Sequence, residues 1–218
     1  MKASFAGNGL GVWVFSMGSG SISRTTRHCG ESGRIKVTYL RYDFTNDYLI
    51  FLIARTFVLI RNARKEDAAQ ISALNDVFVA VTSPMDEARF MHLLALSAYC
   101  LVAEVESAVV GFVIAMRSGV PYDNDNYRWF DTRLSEMVYV DRIVLASDTR
   151  SQGIGAQLYD RLGELALADG CCVMTAEMDV DPPNAHSLHF HAKRGFCEKG
   201  ERILAGGKKV SMQSCPLK

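Results

Sequence analysis

The sequence predicts an α/β domain with a mixed central sheet flanked by helices, and three observations predict it. From Val58 onward, apolar residues recur at the two-residue spacing of strands or the three- and four-residue spacing of helices, in the order β-α-α-β-β-β-α-β-α-β-β. At "RIVLASDTRSQGIGAQLYDRL" a strand, a glycine-opened turn and an amphipathic helix follow one another, the pattern of a crossover joining neighbouring parallel strands. The 218 residues, 49% hydrophobic, supply one domain of ordinary size with a substantial core, with material left for an appendage but not for a second full domain.

Each element has its own warrant. "FVLIRNA" reads as the first strand, and "RKEDAAQISALNDVFVA" as a helix with Ile71, Leu74, Val77, Phe78 and Val81 along one face. Asp86 and Glu87 place negative charge at the start of a second helix running to Ala98, where the helix dipole favours it. "YCLVAEVE" and "AVVGFVIAM" form an antiparallel hairpin. Arg117 to Arg133 is polar, aromatic and turn-rich; a loop this long predicts a substrate-facing segment. "SEMVYVDRIVLAS" is a strand, and "IGAQLYDRLGELALAD" a helix that buries Leu158, Leu162, Leu165 and Ala166. "CCVMTAEMDV" is a buried strand carrying Cys171 and Cys172, "NAHSLHFHAKR" a short helix stopped by Gly195, and "CEKGERIL" and "KKVSMQSC" are the last strands.

The first 57 residues differ. They carry a net charge of +4 against −4 for the remainder, and Gly7 to Gly33 is Gly/Ser-rich without helical or strand periodicity. The expected organisation is a poorly structured or mis-annotated N-terminal extension over 1–57, followed by the domain over 58–218.

Composition narrows the partners. Lys+Arg and Asp+Glu both number 24, so no charge excess favours nucleic acid or a membrane surface. The longest apolar stretch, Tyr48 to Ile60, is interrupted by Arg55 and falls short of a membrane span. The six cysteines show neither a C-x-x-C pair nor zinc spacing, which fits reduced thiols in the cytoplasm. His186, His189 and His191 lack a carboxylate or cysteine that would complete a metal site, so no metal is expected.

The pair Gly153 and Gly155 opens a helix just after Arg150. Glycine lets the backbone approach a ligand closely, and the first helical N–H groups then face it as an anion site. Gly155 is followed by Ala156 and Gln157 rather than Lys and Ser/Thr, so the loop suits a diphosphate that is held and not cleaved. "RSQGIG" after "DRIVLA", with "NAHSLHFHAKRGF" one strand later, resembles the GNAT superfamily of acyl-CoA-dependent N-acyltransferases, over the chain from Val58 to the C-terminus and closest to a poorly characterised bacterial-type branch.

The resemblance implies a GNAT-like fold and acetyl-CoA as co-substrate. It places the coenzyme diphosphate on the loop of Arg150, Ser151, Gln152, Gly153, Ile154, Gly155 and Ala156, the pantetheine arm on main-chain groups of Val144, Leu145 and Ala146, and Asn184 at the family's asparagine position. His191 stands where many relatives carry a tyrosine, and is the candidate acid for the departing thiolate. The acceptor is an amine of a small molecule, or the N-terminus or a lysine of a protein; a homodimer stays open. Because an alkyl amine with pKa ~10.4 is mostly protonated at neutral pH, a base or a water relay must remove a proton. Glu177, Asp179 and Asp181 alternate on one strand face, and Glu177, Asp179 and Asp141 are the candidates. A non-catalytic acyl-CoA-binding regulatory module is the alternative.

Overall fold

The computed structural model describes residues 3–6, 12–16, 48–52, 58–80, 82–149 and 152–218. The chain divides into two compact units, Met1–Val58 and Leu59–Lys218. In the first, β1 (Ala3–Ala6), β2 (Val12–Ser16) and β3 (Tyr48–Leu52) form an antiparallel three-stranded sheet in the order β1-β2-β3. β2 falls inside the stretch that lacks an alternating pattern; "VWVFS" is a short run of β-branched and aromatic residues, a strand signal of composition rather than period.

The second unit is a seven-stranded mixed sheet in the order β4-β5-β6-β7-β8-β10-β9, flanked by five helices. Its strands are β4 (Leu59–Asn62), β5 (Tyr99–Val105), β6 (Ala108–Arg117), β7 (Met137–Leu145), β8 (Val173–Asp181), β9 (Cys197–Ile203) and β10 (Lys209–Pro216). The helices are α1 (Ala68–Val77), α2 (Glu87–Leu96), α3 (Asp125–Asp131), α4 (Ile154–Ala168) and α5 (Ala185–Lys193). As the glycine-opened crossover predicts, β7 and β8 are parallel neighbours joined through α4; the other pairings within this sheet are antiparallel.

Three details depart from the sequence reading. The segment Arg117 to Arg133 is not a continuous loop: Asn124 accepts hydrogen bonds from the amides of Asn126 and Tyr127 and thereby starts α3, whose Tyr127 and Phe130 are buried. α1 ends at Val77, which is 68% exposed, because Asn75 turns inward and donates to the Ser83 carbonyl oxygen, drawing the chain off the helix; Val81 lies outside the described residues. β8 starts only at Val173, so Cys171 is buried before the strand and Cys172 is exposed. In α4, Leu158, Leu162 and Ala166 are buried as expected, and Leu165 only partly.

The sheet is open where the site lies. β7 and β8 pair only over Met137–Tyr139 and Val173–Thr175, then diverge. β7 keeps β6 on its other side as far as Leu145, while β8 keeps β10 out to Asp181. From Val140 onward the β8-facing main-chain groups of β7 therefore have no strand partner among the described residues. No helix among the described residues is long and apolar enough to cross a membrane.

Candidate active site

The divergence of β7 and β8 opens a cleft of about 530 Å³. Its far wall comes from α4 and α5, with Gly155, Tyr159, Asn184, Phe190 and His191; its near wall comes from α3, β8 and the β9–β10 turn, with Asn124, Asn126, Glu177, Asp179 and Lys208. Val144 and Leu145 line the strand between them.

At the open end, Gly153 has φ 82°, a left-handed conformation that a β-branched residue avoids, and it caps the start of α4. The next amides, those of Ile154 to Ala156, lie in the first helical turn, where the helix offers them no acceptor. A Cβ on Gly155 would stand 3.0 Å from Leu145 Cδ1 and 3.4 Å from the Phe190 ring, so glycine is what keeps this helix start against the strand. Gln152 turns its side chain back to the Asp148 carbonyl oxygen (2.9 Å), which stiffens the turn and leaves its main-chain amide as its contribution. Arg150 and Ser151 lie outside the described residues. Ala146 differs from expectation: its N–H donates to the Val110 carbonyl oxygen (2.8 Å), and its own carbonyl accepts from the Thr149 amide and hydroxyl. The splayed strand, the glycine approach and the helix start fit a coenzyme A arm followed by its diphosphate.

Asn184 caps α5 by accepting from the Ser187 amide (3.1 Å). His191, 3% exposed, has both ring nitrogens engaged. Nδ1–H donates to the Ser187 carbonyl oxygen (2.8 Å), which leaves Nε2 to accept from the Tyr159 hydroxyl (2.7 Å). Burial pushes the imidazole down to about 4, with the nearby Arg194 cation adding to the effect. At neutral pH the ring is thus uncharged and directs no N–H into the cleft. His191 is expected from the sequence to give a proton to the thiolate; in this geometry the one N–H of the neutral ring is held by the Ser187 carbonyl oxygen.

The three candidate carboxylates have distinct surroundings. Asp141 is the extra residue of a β-bulge: Ile114 pairs with Arg142 and Ala115 with Val140, leaving Asp141 between them. Its buried carboxylate accepts from Arg142 Nε (2.7 Å) and from the Tyr122 hydroxyl. Arg142 in turn reaches the Asn75 side chain and both Ser83 oxygens, tying the bulge to the α1–α2 connection. Asp179 is ion-paired with Lys208 Nζ at 2.9 Å. Asp181 is exposed at the end of β8.

Glu177 alone among these three has only neutral donors for its hydrogen bonds: Asn126 Nδ2 at 3.0 Å, and the fully buried Tyr139 hydroxyl at 3.0 and 2.9 Å from the two oxygens. Burial raises its carboxyl to about 7, and the Asp141 charge adds to the rise, while the bonds from Asn126 and Tyr139 oppose it. Such a group is half ionised at neutral pH and can take up a proton there, whereas Asp141 and Asp179 have a cation already at hand.

The sequence points to Glu177, Asp141 and Asp179 but not to Tyr139 and Asn126, which bond Glu177, to Tyr122, which bonds Asp141, or to Tyr159, which bonds His191. Asn126 and Tyr122 belong to the segment expected to face the substrate; Tyr139 and Tyr159 carry no signal beyond strand and helix periodicity.

The profile of the acetyltransferase (GNAT) family matches residues 66–196. No curated protein sequence matches the chain significantly. Solved structures share the fold. An N-acetyltransferase from Staphylococcus aureus superposes with a TM-score of 0.59 at 22% identity, over 74% of this chain and 99% of that one. The ribosomal-protein-S18-alanine N-acetyltransferase of Escherichia coli gives 0.57 at 14% identity, over 74% and 95%. The Salmonella typhimurium protein yncA, solved with its cofactor acetyl-CoA, gives 0.58 at 21% identity, over 74% and 94%. With the family match spanning more than half its length and the seven-stranded sheet splayed at β7 and β8, the chain belongs to the GNAT family of acetyltransferases.

Proposed function

We propose that this acyltransferase moves an acetyl group from acetyl-CoA directly to a primary amine of a small molecule or protein, with Glu177 as the base. The observation that carries the reading is the contrast among the carboxylates: Asp141 and Asp179 are ion-paired, while Glu177 is bonded by neutral donors and held near 7. The main chain of Val144 and Leu145 and the α4 start at Gln152–Ala156 would hold the coenzyme, which supplies the acyl group as a thioester. Glu177 removes the ammonium proton, directly or through a water, so that the nitrogen lone pair can form the C–N bond as the C–S bond breaks. The departing thiolate, with a conjugate acid near ~8.5, takes up a proton in exchange for the one the nitrogen loses, so no separate protein acid is required. His191 then positions Tyr159 rather than donating.

The base strength bears on the acceptor. An α-amino group (~8) lies within about one unit of Glu177, whereas an alkyl amine (~10.4) lies more than three units above it, and each unit costs about tenfold in the deprotonated fraction. This favours amines of lower pKa, peptide N-termini among them. The test is a panel of peptides with free N-termini, lysine-containing peptides with blocked N-termini and small alkyl amines, incubated with acetyl-CoA and read by mass spectrometry. Acetylation with free N-termini ahead is the expected result. Acetyl-CoA binding without turnover on any amine would instead support a non-catalytic binding module.

A further inference from the structure

Asn126 stands between Glu177 and a cation that never touches Glu177 in the structure. Arg202 on β9 donates from Nη1 to the Asn126 side-chain oxygen at 2.7 Å, and the same carboxamide donates from Nδ2 to Glu177 Oε1 at 3.0 Å. Asn126 is 7% exposed, so its orientation is set by these partners rather than by water. A carboxamide can rotate by half a turn and exchange its donor and acceptor ends at little cost in shape, but the two ends are chemically opposite. With its oxygen taken by a guanidinium, which can only donate, the amide has to present N–H to the carboxylate.

We propose that Arg202 and Asn126 form a positioning relay for Glu177, in which the guanidinium locks the carboxamide so that the carboxylate always meets a donor and is held as an acceptor aimed into the cleft. The relay deepens the reading of Glu177 as base and rests on it for its catalytic meaning, though not for its geometry. It gives α3, the element inserted between β6 and β7, a function at the site: the N-terminal turn of α3 carries Asn126, and the turn before it carries Tyr122 to Asp141. Other groups act on Glu177 as well. Tyr139 and the Asp141–Arg142 pair approach from β7, Asp125 lies beside Arg202 at 3.8 Å, the Asp179–Lys208 pair follows on β8 and the β9–β10 turn, Met212 lies across on β10, and Tyr159 of α4 feels its charge. None of these contacts the Asn126 oxygen among the bonds described, so Arg202 is the residue whose loss frees the amide to turn.

The experiment follows the Glu177 carboxyl carbon by NMR titration in the full chain, in the wild type, Arg202→Met, Asn126→Leu, the double variant and Arg202→Lys. Arg202→Met should raise the Glu177 midpoint by ~1 pH unit, because the freed amide can turn its oxygen to accept from the protonated carboxyl and so favours that form. Asn126→Leu should raise it similarly, the double variant no further than Asn126→Leu alone, and Arg202→Lys, which keeps a donor within reach, should stay near the wild type. Additive shifts in the double variant would mean that Arg202 acts through space and would overturn the relay, as would an unmoved midpoint in Arg202→Met. Arg202 is on an edge strand, so its two variants carry the test should Asn126→Leu fail to fold. The acid limb of kcat/KM, measured with the panel amine that turns over fastest, separates the two ideas. A carboxyl midpoint that moves while the limb stays fixed keeps the relay and removes Glu177 as base.

Discussion

On the wall of the cleft built by α4 and α5, His191 is packed among Tyr159, Phe190 and Phe196, with ring centroids 4.9 to 5.5 Å away, and burial holds it neutral. On the wall built by α3 and β8, Glu177 is enclosed as well, yet its two neutral donors and its access to the cleft keep it at the edge of ionisation. Both groups are displaced by desolvation, which always disfavours charge. For a base this means a lowered pKa and for an acid a raised one, so the same physical cause keeps His191 uncharged at neutral pH and leaves Glu177 able to exchange a proton there, as its proposed role requires.

The largest effect should come from setting Glu177→Gln beside His191→Phe. Removing the base should lower kcat/KM by ~10²–10⁴-fold and abolish the limb near pH 7, since positioned general bases contribute about that much. His191→Phe should cost at most about tenfold and leave the limb in place, because it removes only the partner of the Tyr159 hydroxyl. A pH–rate profile of both variants checks this, and a larger loss in His191→Phe would reverse the assignment of the two walls.

The second effect is on stability. The folded His191 binds its proton only near pH 4, against an ordinary 6.5, so between those values the unfolded chain holds more protons and folding stability rises with pH. The folded Glu177 keeps its proton up to about 7, against an ordinary 4.5, so in that window the folded chain holds more and stability falls with pH. Each displacement is worth about 3 kcal/mol across its window, at roughly 1.4 kcal/mol per unit. In the wild type the two slopes oppose each other between about pH 4.5 and 6.5, where they overlap. Glu177→Gln should uncover a stability that climbs from pH 4 to 6.5, and His191→Phe one that declines from pH 4.5 to 7. Urea unfolding at several pH values measures both; parallel curves for the two variants would mean that neither group is buried as described.

What the sequence discloses about the two walls is unequal. The start of α4 was legible because its signal is local: the turn, both glycines and the first helical residues lie within a dozen residues, and the resemblance reaches them directly. The near wall was legible only as a set of three acids and a segment expected to face the substrate. Choosing among them depends on Lys208, 29 residues from Asp179, on Tyr139, 38 residues from Glu177, and on Asn126, 51 residues from Glu177, separations across which periodicity carries no information. The state of His191 was hidden for the same reason, since its partner Tyr159 is 32 residues away on another helix. α3 did have a local signal, Asn124 followed by Asp125 at a helix start, but seven residues rich in aromatic and charged side chains resemble a loop.

The smallest expected effect returns to the far wall and asks whether its open end is separable from its chemistry. Gly153 has φ 82°, and valine there suffers both the left-handed backbone and χ1 crowding. Gly153→Val should therefore shift the start of α4 and weaken coenzyme A binding by about tenfold, of the order of the 1–2 kcal/mol such a residue costs in that conformation. The near wall shares no residue with this turn, so the pH limb set by Glu177 should keep its midpoint while KM for acetyl-CoA rises. Calorimetric titration with coenzyme A, run beside the pH–rate profile, reads the two separately. Unchanged affinity would remove the glycine turn from the binding site, and a displaced limb would show that the two walls are coupled through α4.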